Sequence, residues 1–162
     1  TDLLVRFMNK HPTITVYTDG AAQGNPGPGG YGIVLISGRH RKELSQGFKL
    51  TTNNRMELLA VIVALESLRI RGSNVTIYTD SRYVADAVEK KWVFGWEKKD
   101  FNKKKNPDLW KRFLKVYRKH NVNFVWVKGH ANVPENEVCD KLAVEASKAP
   151  DLSDDKGYCP ED

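Results

Sequence analysis

Four carboxylates in this 162-residue chain stand where folding could gather them. Asp19 ends an extended run, Glu57 falls in the opening turn of a long helical stretch, Asp80 ends a second extended run, and Asp140 lies in the last helical stretch. Ends of neighbouring strands and the first turn of a helix can converge on one edge of a sheet, where ligand sites of α/β proteins tend to lie. Carboxylates brought within a few ångström repel and raise one another's pKa, so a cluster held without Arg or Lys is sensible mainly as a cage for Mg²⁺ or Mn²⁺. Oxygen-only ligation argues against zinc and copper. Taken singly, each acid has an ordinary reading. Asp19 before Gly20 is a usual turn residue, Glu57 three places after Asn54 can close a capping box, Asp80 can cap the helix that begins near Ser81, and Asp140 can be a solvated helix residue. The combination is what points to metal-dependent chemistry. His130, after Gly129 in a loop stretch, reads on its own as a surface histidine.

The elements around these residues can be read from periodicity. Thr13 to Thr18 is β-branched and alternating, a first strand that stops at Asp19-Gly20. Asn25 to Gly30 is turn material, Tyr31 to Ile36 a second strand, and a third falls between Lys42 and Leu50. From Asn54 to Leu68 the apolar residues crowd at helical length, predicting a largely buried helix. A strand over Val75–Thr79, helices over Ser81–Glu89 and Leu109–Lys119, a strand over Val122–Val127 and a helix over Glu135–Ser147 follow. The order βββαβααβα implies a mixed five-stranded α/β sheet with helices packed on it. Residues 1–12 read as a short leader, 13–149 as one domain, and 150–162 as an acidic tail, loosely attached or disordered.

Composition narrows the partners. A hydrophobic fraction of 40% supports one ordinary core, and 26 Lys+Arg against 20 Asp+Glu give net +6, a balance that favours polyanions. The excess is concentrated: seven lysines between Lys90 and Lys105 face only Glu97 and Asp100, a local balance of +5. Trp92, Phe94, Trp96 and Phe101 interleave with them, as in an element that grips a phosphate backbone and lays aromatic faces on sugars or bases. The plainer reading is a solvated lysine-rich helix pair whose aromatics fill a small local core. Cys139 and Cys159 have no Cys or His at zinc-ligand spacing, which favours a reducing, cytoplasmic location. The longest apolar run, Leu58 to Leu65, is too short to span a bilayer, so a soluble protein is expected; a monomer is the expected state. Gly27 to Gly32 fits G-x-G-x-x-G by count but contains Pro28 and leads into a strand, which excludes a dinucleotide fingerprint. No phosphate-binding P-loop, nucleophilic triad or helix-turn-helix pattern stands out.

Six blocks together resemble bacterial type 1 ribonuclease H: Tyr17-Thr18-Asp19-Gly20, the stretch Gly24 to Gly32, Thr51 to Leu58 with Asn53-Asn54-Arg55-Met56-Glu57 at its centre, Thr79 to Val84, Val127-Lys128-Gly129-His130-Ala131, and Pro134 to Asp140. They run in family order over about residues 13 to 149. The resemblance implies a ribonuclease H-like sheet with helices on both faces and an endonuclease that cuts the RNA strand of RNA–DNA hybrids. It places the catalytic acids and metal ligands at Asp19, Glu57, Asp80 and Asp140, and a proton-transfer or product-release role at His130. It further implies two Mg²⁺ ions per site, roughly 4 Å apart, with Mn²⁺ able to substitute, and products with 5′-phosphate and 3′-hydroxyl ends. Hybrid recognition needs the 2′-hydroxyl to be read. By family position Asn25 and Asn54 contact RNA, Thr52 and Asn106 cradle a DNA-strand phosphate, and Tyr83 and Trp92 line the DNA groove. The segment carrying Trp96, Lys98 and Lys99 resembles the family's basic protrusion, several residues shorter and with two acids. Integrases, transposases and resolvases share acidic two-metal sites, but the set Asn25, Thr52, Asn53 and Asn54 with the basic segment suits hybrid reading. A binding module that does not cut would not need all four acids.

Overall fold

The alternation from Thr13 does make a strand, and the computed structural model, which describes residues 11–129 and 133–160, carries it further than the turn signal at Asp19-Gly20 suggests. β1 (Thr13–Ala22), β2 (Gly27–Ser37) and β3 (His40–Thr51) form an antiparallel meander, followed by α1 (Asn53–Glu66), β4 (Asn74–Thr79), α2 (Arg82–Glu89), α3 (Trp92–Lys98), α4 (Pro107–Tyr117), β5 (Asn121–Trp126) and α5 (Pro134–Ser147). The sheet order is β3-β2-β1-β4-β5, with β4 parallel to both β1 and β5. This is the expected mixed five-stranded sheet, with one short helix, α3, inserted into the expected order.

Alternation along β2 shows how the helices divide between the faces. Tyr31, Ile33 and Leu35 join the core built with Met56, Leu59 and Ile62 of α1 and Trp110 and Phe113 of α4. The residue between them, Gly32, faces α5, where a side chain would collide with the Cys139 carbonyl. Gly30, the last residue of the stretch that reads as turn material, meets α5 in the same way, an added methyl standing 2.7 Å from the Ala143 carbonyl, and β2 begins at Gly27 rather than Tyr31. α1 is buried on nearly all sides, as its unbroken apolar composition predicts. Met56, Leu58, Ile62 and Leu65 are fully buried and each contributes about 1.5–3 kcal/mol of transfer free energy.

The aromatics of the basic stretch fill a small local core, as its plainer reading expects: Val93 and Phe101 are buried, Trp96 packs edge-on against Trp110 at 5.6 Å, and Phe94 lies against Tyr117. Trp92 alone of its aromatics stands well out, at 49% exposure. The acidic tail is docked rather than loose. Ser153 accepts from Lys49 N at 2.8 Å and donates to the Gly47 carbonyl at 2.9 Å, adding a bridge to β3. Asp155 accepts from Thr51 Oγ1 and from Arg55 Nε, each at 2.7 Å, so its charge is neutralised on the core rather than in solvent. Of the leader, residues 1–10 lie outside the described residues; Pro12 accepts from Asn74 N, tying the chain to β4.

Candidate active site

Register explains why two of the acids meet. The parallel pairing of β1 with β4 ends at Tyr17 and Tyr78, and two residues beyond that pair on each strand come Asp19 and Asp80. Glu57 arrives from α1, whose first turn crosses β1 so closely that a methyl group on Gly20 would stand 2.5 Å from Glu57 N. Carboxylate oxygens of Asp19, Glu57 and Asp80 all lie within 4.8 Å of one another. Asp140, exposed on α5, lines the same cleft of about 470 Å³ but stands outside that cluster of three. His130 lies outside the described residues; the loop that carries it leaves β5 beside the acids, with Gly129 close enough that an added methyl would be 3.4 Å from Asp80 Oδ2.

The ordinary readings of two acids fail on their caps. Thr52 Oγ1 caps α1 by accepting from Arg55 N at 3.2 Å, which leaves Glu57 no part in a capping box. Ser81 Oγ caps α2 by accepting from Val84 N at 3.3 Å, so the cap is not Asp80. Glu57 Oε2 is buried with no hydrogen-bond partner. Burial, and then the neighbouring Asp19 and Asp80 carboxylates, push the Glu57 carboxyl well above its usual range. Asp19 is raised to about 7, chiefly by burial and further by Asp80 and Asp140, against the lowering effect of hydrogen bonds from Glu57 and from Gly20 N at 2.9 Å. Among the described residues neither Asp19 nor Glu57 is paired with Lys or Arg. An orphaned buried oxygen within an oxygen-only donor set fits a hard divalent cation, which would relieve the repulsion that raises these pKa values.

The matching family model is that of RNase H, and it spans residues 11–148. The chain belongs to the ribonuclease H family. It is 60% identical over 144 residues to the ribonuclease H of Desulforamulus reducens, covering 86% of this chain and 90% of that one. It is 56% identical to the ribonuclease H of Trichodesmium erythraeum, covering 92% and 98%. Among solved structures it is similar to LC9-RNase H1, a type 1 RNase H with the type 2 active-site motif, at a TM-score of 0.74 and 32% identity, covering 85% of this chain and 72% of that one. LC11-RNase H1 in complex with an RNA/DNA hybrid aligns at a TM-score of 0.59 and 27% identity, covering 82% and 98%. Like its relatives, this type 1 ribonuclease H is an endoribonuclease of α/β fold.

The enzyme's polar residues beyond the acids fall into two groups. Asn53 and Asn54 line the acid cleft, and Asn54 also lines a second, larger cavity of about 710 Å³ with Asn25, Thr52, Lys104, Lys105 and Asn106. Asn25 Oδ1 accepts from Asn53 N at 3.1 Å, and Asn53 Oδ1 accepts from Ala22 N at 2.6 Å, stitching the β1–β2 turn to the start of α1. Asn106, in the left-handed region at φ 61°, accepts from Arg55 Nη1 at 3.2 Å and donates to Tyr83 Oη at 3.0 Å. Tyr83 Oη also accepts from Trp110 Nε1 at 2.9 Å. Lys98 and Lys99 are exposed at the end of α3, while Trp96 is turned half inward. The two acids of the basic segment are engaged elsewhere: Glu97 by Arg118 at 2.6 Å and Asp100 by Lys111 at 3.4 Å. Sequence reasoning did not single out Arg82 and Lys128, which line the acid cleft, or Asp155 and Tyr158 of the docked tail. Arg82, two places after Asp80, was visible from spacing alone; nothing local marked Asp155.

Proposed function

We propose that this ribonuclease H hydrolyses the RNA strand of RNA–DNA hybrids at the acid cleft, using two Mg²⁺ ions or Mn²⁺ in their place, and leaves 5′-phosphate and 3′-hydroxyl ends. The observation that carries the reading is the convergence of Asp19, Glu57 and Asp80 from three elements, with one buried carboxylate oxygen left without a partner. These three acids would hold the cations, with Asp140 completing the set from the rim of the cleft. Divalent cations held there supply an activated water and charge neutralisation at the leaving oxygen. The protein's own part is to hold the acids together for binding and to fix the strands. His130 would carry a proton to or from the departing product, as its motif suggests.

Strand recognition follows the two cavities. Asn54, common to both, together with Asn25 and Asn53, would meet the 2′-hydroxyls of the cut strand, a reading supported by their lining the two cavities. Thr52 and Asn106, beside Lys104 and Lys105, offer hydroxyl, amide and ammonium donors to a phosphate of the DNA strand. Tyr83, Trp92, Trp96, Lys98 and Lys99 extend this surface along the basic segment, with Trp92 the exposed ring. The pairing of Glu97 and Asp100 with cations of α4 and its C-terminal end leaves the segment's lysines as its outward charge. We assign catalysis to a single domain, residues 13–149, acting as a monomer in the cytoplasm; no helix among the described residues is long and apolar enough to cross a membrane.

The deciding experiment is cleavage of an end-labelled RNA–DNA hybrid in Mg²⁺, beside single-stranded RNA, duplex RNA and duplex DNA, with Asp80→Asn as control. Cutting confined to the RNA strand of the hybrid, and lost in the variant, is the expected result. Tight hybrid binding without cutting in Mg²⁺ or Mn²⁺ would overturn it.

A further inference from the structure

Arg82 opens α2 two residues after Asp80, exposed and facing the acid cleft. Its guanidinium carbon lies 4.1 Å from the centroid of the Trp126 indole. That ring is itself anchored, since Trp126 Nε1 donates to the backbone oxygen of Asp80 at 3.0 Å. A cation is thus set over a ring tied to the residue whose carboxylate belongs to the acid cluster. Arg55, Arg112 and Arg118 are each bidentate to a carboxylate, whereas no carboxylate among the described residues pairs with Arg82. Trp126 remains 39% exposed, so the stack covers little apolar surface and is a poor device for stability.

We infer that Arg82, stacked on Trp126, is a preorganised clamp for a phosphate of the cut strand next to the scissile one. The inference rests on the reading of the acid cleft as the seat of the RNA strand. Stacking occupies one face of the guanidinium and leaves its N–H donors in the plane, a fork that matches two phosphate oxygens. Anchoring the indole on Asp80 fixes that fork relative to the acids, so the clamp sets where the strand lies over them. The second cavity, with Lys104 and Lys105, has no wall from Arg82, which separates this contact from any made to the other strand.

The test is hybrid binding in Ca²⁺, followed by fluorescence anisotropy across a salt series, for the wild type, Arg82→Gln and Arg82→Lys. Arg82→Gln should weaken binding about tenfold at low salt and make the slope of log Kd against log salt shallower by about one unit, the signature of one lost phosphate contact. Arg82→Lys should keep the wild-type slope, because it keeps the charge. Hybrids that carry one uncharged methylphosphonate at successive RNA positions should include one that weakens the wild type and leaves Arg82→Gln unaffected. Unchanged affinity and slope in Arg82→Gln, or identical methylphosphonate profiles for the two proteins, would overturn the clamp whether or not the wild type cuts. A wild type that binds the hybrid in Mg²⁺ and leaves it intact would instead overturn the proposed function.

Discussion

Arg55 and Glu57 stand two residues apart near the start of α1, at 1% and 9% exposure, and meet opposite company. Arg55 is surrounded: Nη1 and Nη2 bond Asp108 at 2.9 and 2.7 Å, Nε and Nη2 bond Asp155 at 2.7 and 3.0 Å, and Nη1 also reaches Asn106. Burial works against its charge, but the hydrogen bonds to Asp108 and Asp155 outweigh burial and hold the guanidinium more firmly protonated than usual. Glu57 has like charges for neighbours and an oxygen with no partner. A buried charge that is fully paired rigidifies a fold; one left unsatisfied among its own kind is kept for a ligand. The same helix turn therefore carries a structural joint on one side and a poised site on the other.

Removing the joint should have the largest effect on stability. Arg55→Met leaves Asp155, whose side chain is only 6% exposed, without its cation, and the expected loss is about 3–5 kcal/mol in urea denaturation. A loss near zero would mean that the acids relax into solvent and that the joint is weaker than its geometry. The poised side should respond in the reverse sense. On the proposed role of Asp19 as a cation ligand, Asp19→Asn should cut hybrid cleavage by more than about a hundredfold, since even losing a group that hydrogen-bonds a metal ligand costs about 10–100-fold. The same change should stabilise the metal-free protein at pH 8. The sign follows from Asp19, whose carboxyl is raised on folding from 3.8 to about 7. The folded state then binds the proton more tightly, so this contribution to stability is complete below about pH 4 and is lost as pH rises through about 7. Urea midpoints in EDTA at pH 5 and pH 8 should fall with pH in the wild type and fall less in Asp19→Asn.

Mg²⁺ at about a hundred times its Kd should raise wild-type stability by about 2.7 kcal/mol, and by less in Asp19→Asn, measured by thermal melts at pH 8. Equal shifts in both proteins would place the ion elsewhere than the poised cluster. The smallest effect belongs to a pair that is neither buried nor poised. Arg118 and Glu97, exposed by 52% and 38%, should give less than about 1 kcal/mol on Glu97→Gln, because solvent screens such pairs.

What could be read without the structure follows the range of the forces involved. β1, α1 and β4 announce themselves through local period, and the acids that lie in or just beyond them inherit good positions from that. The tail does not: Asp151, Asp154 and Asp155 look like solvated charge until Arg55, 100 residues earlier, is known to lie beneath Asp155. Gly30 and Gly32 extend what looks like a turn because closeness to α5 and conformational freedom select the same residue type. α3 is masked by lysines and by Lys91 in the left-handed region at φ 63°, a break that periodicity cannot see. Tyr83 and Asn106 are legible as candidates, but their mutual hydrogen bond is a product of the tertiary fold.

The distance along the chain between Arg55 and Asp155 also imposes an order in time. At about 5–20 residues per second, the 100 residues between them take about 5–20 s to synthesise. During that interval the nascent sheet and α1 can assemble, yet a guanidinium bound for the interior still lacks one of its two carboxylates. Closure of that corner must wait for residue 155 to clear the ribosome, so the cavity that Thr52 and Asn106 share with residues 157–160 takes shape after the strands and helix that precede it.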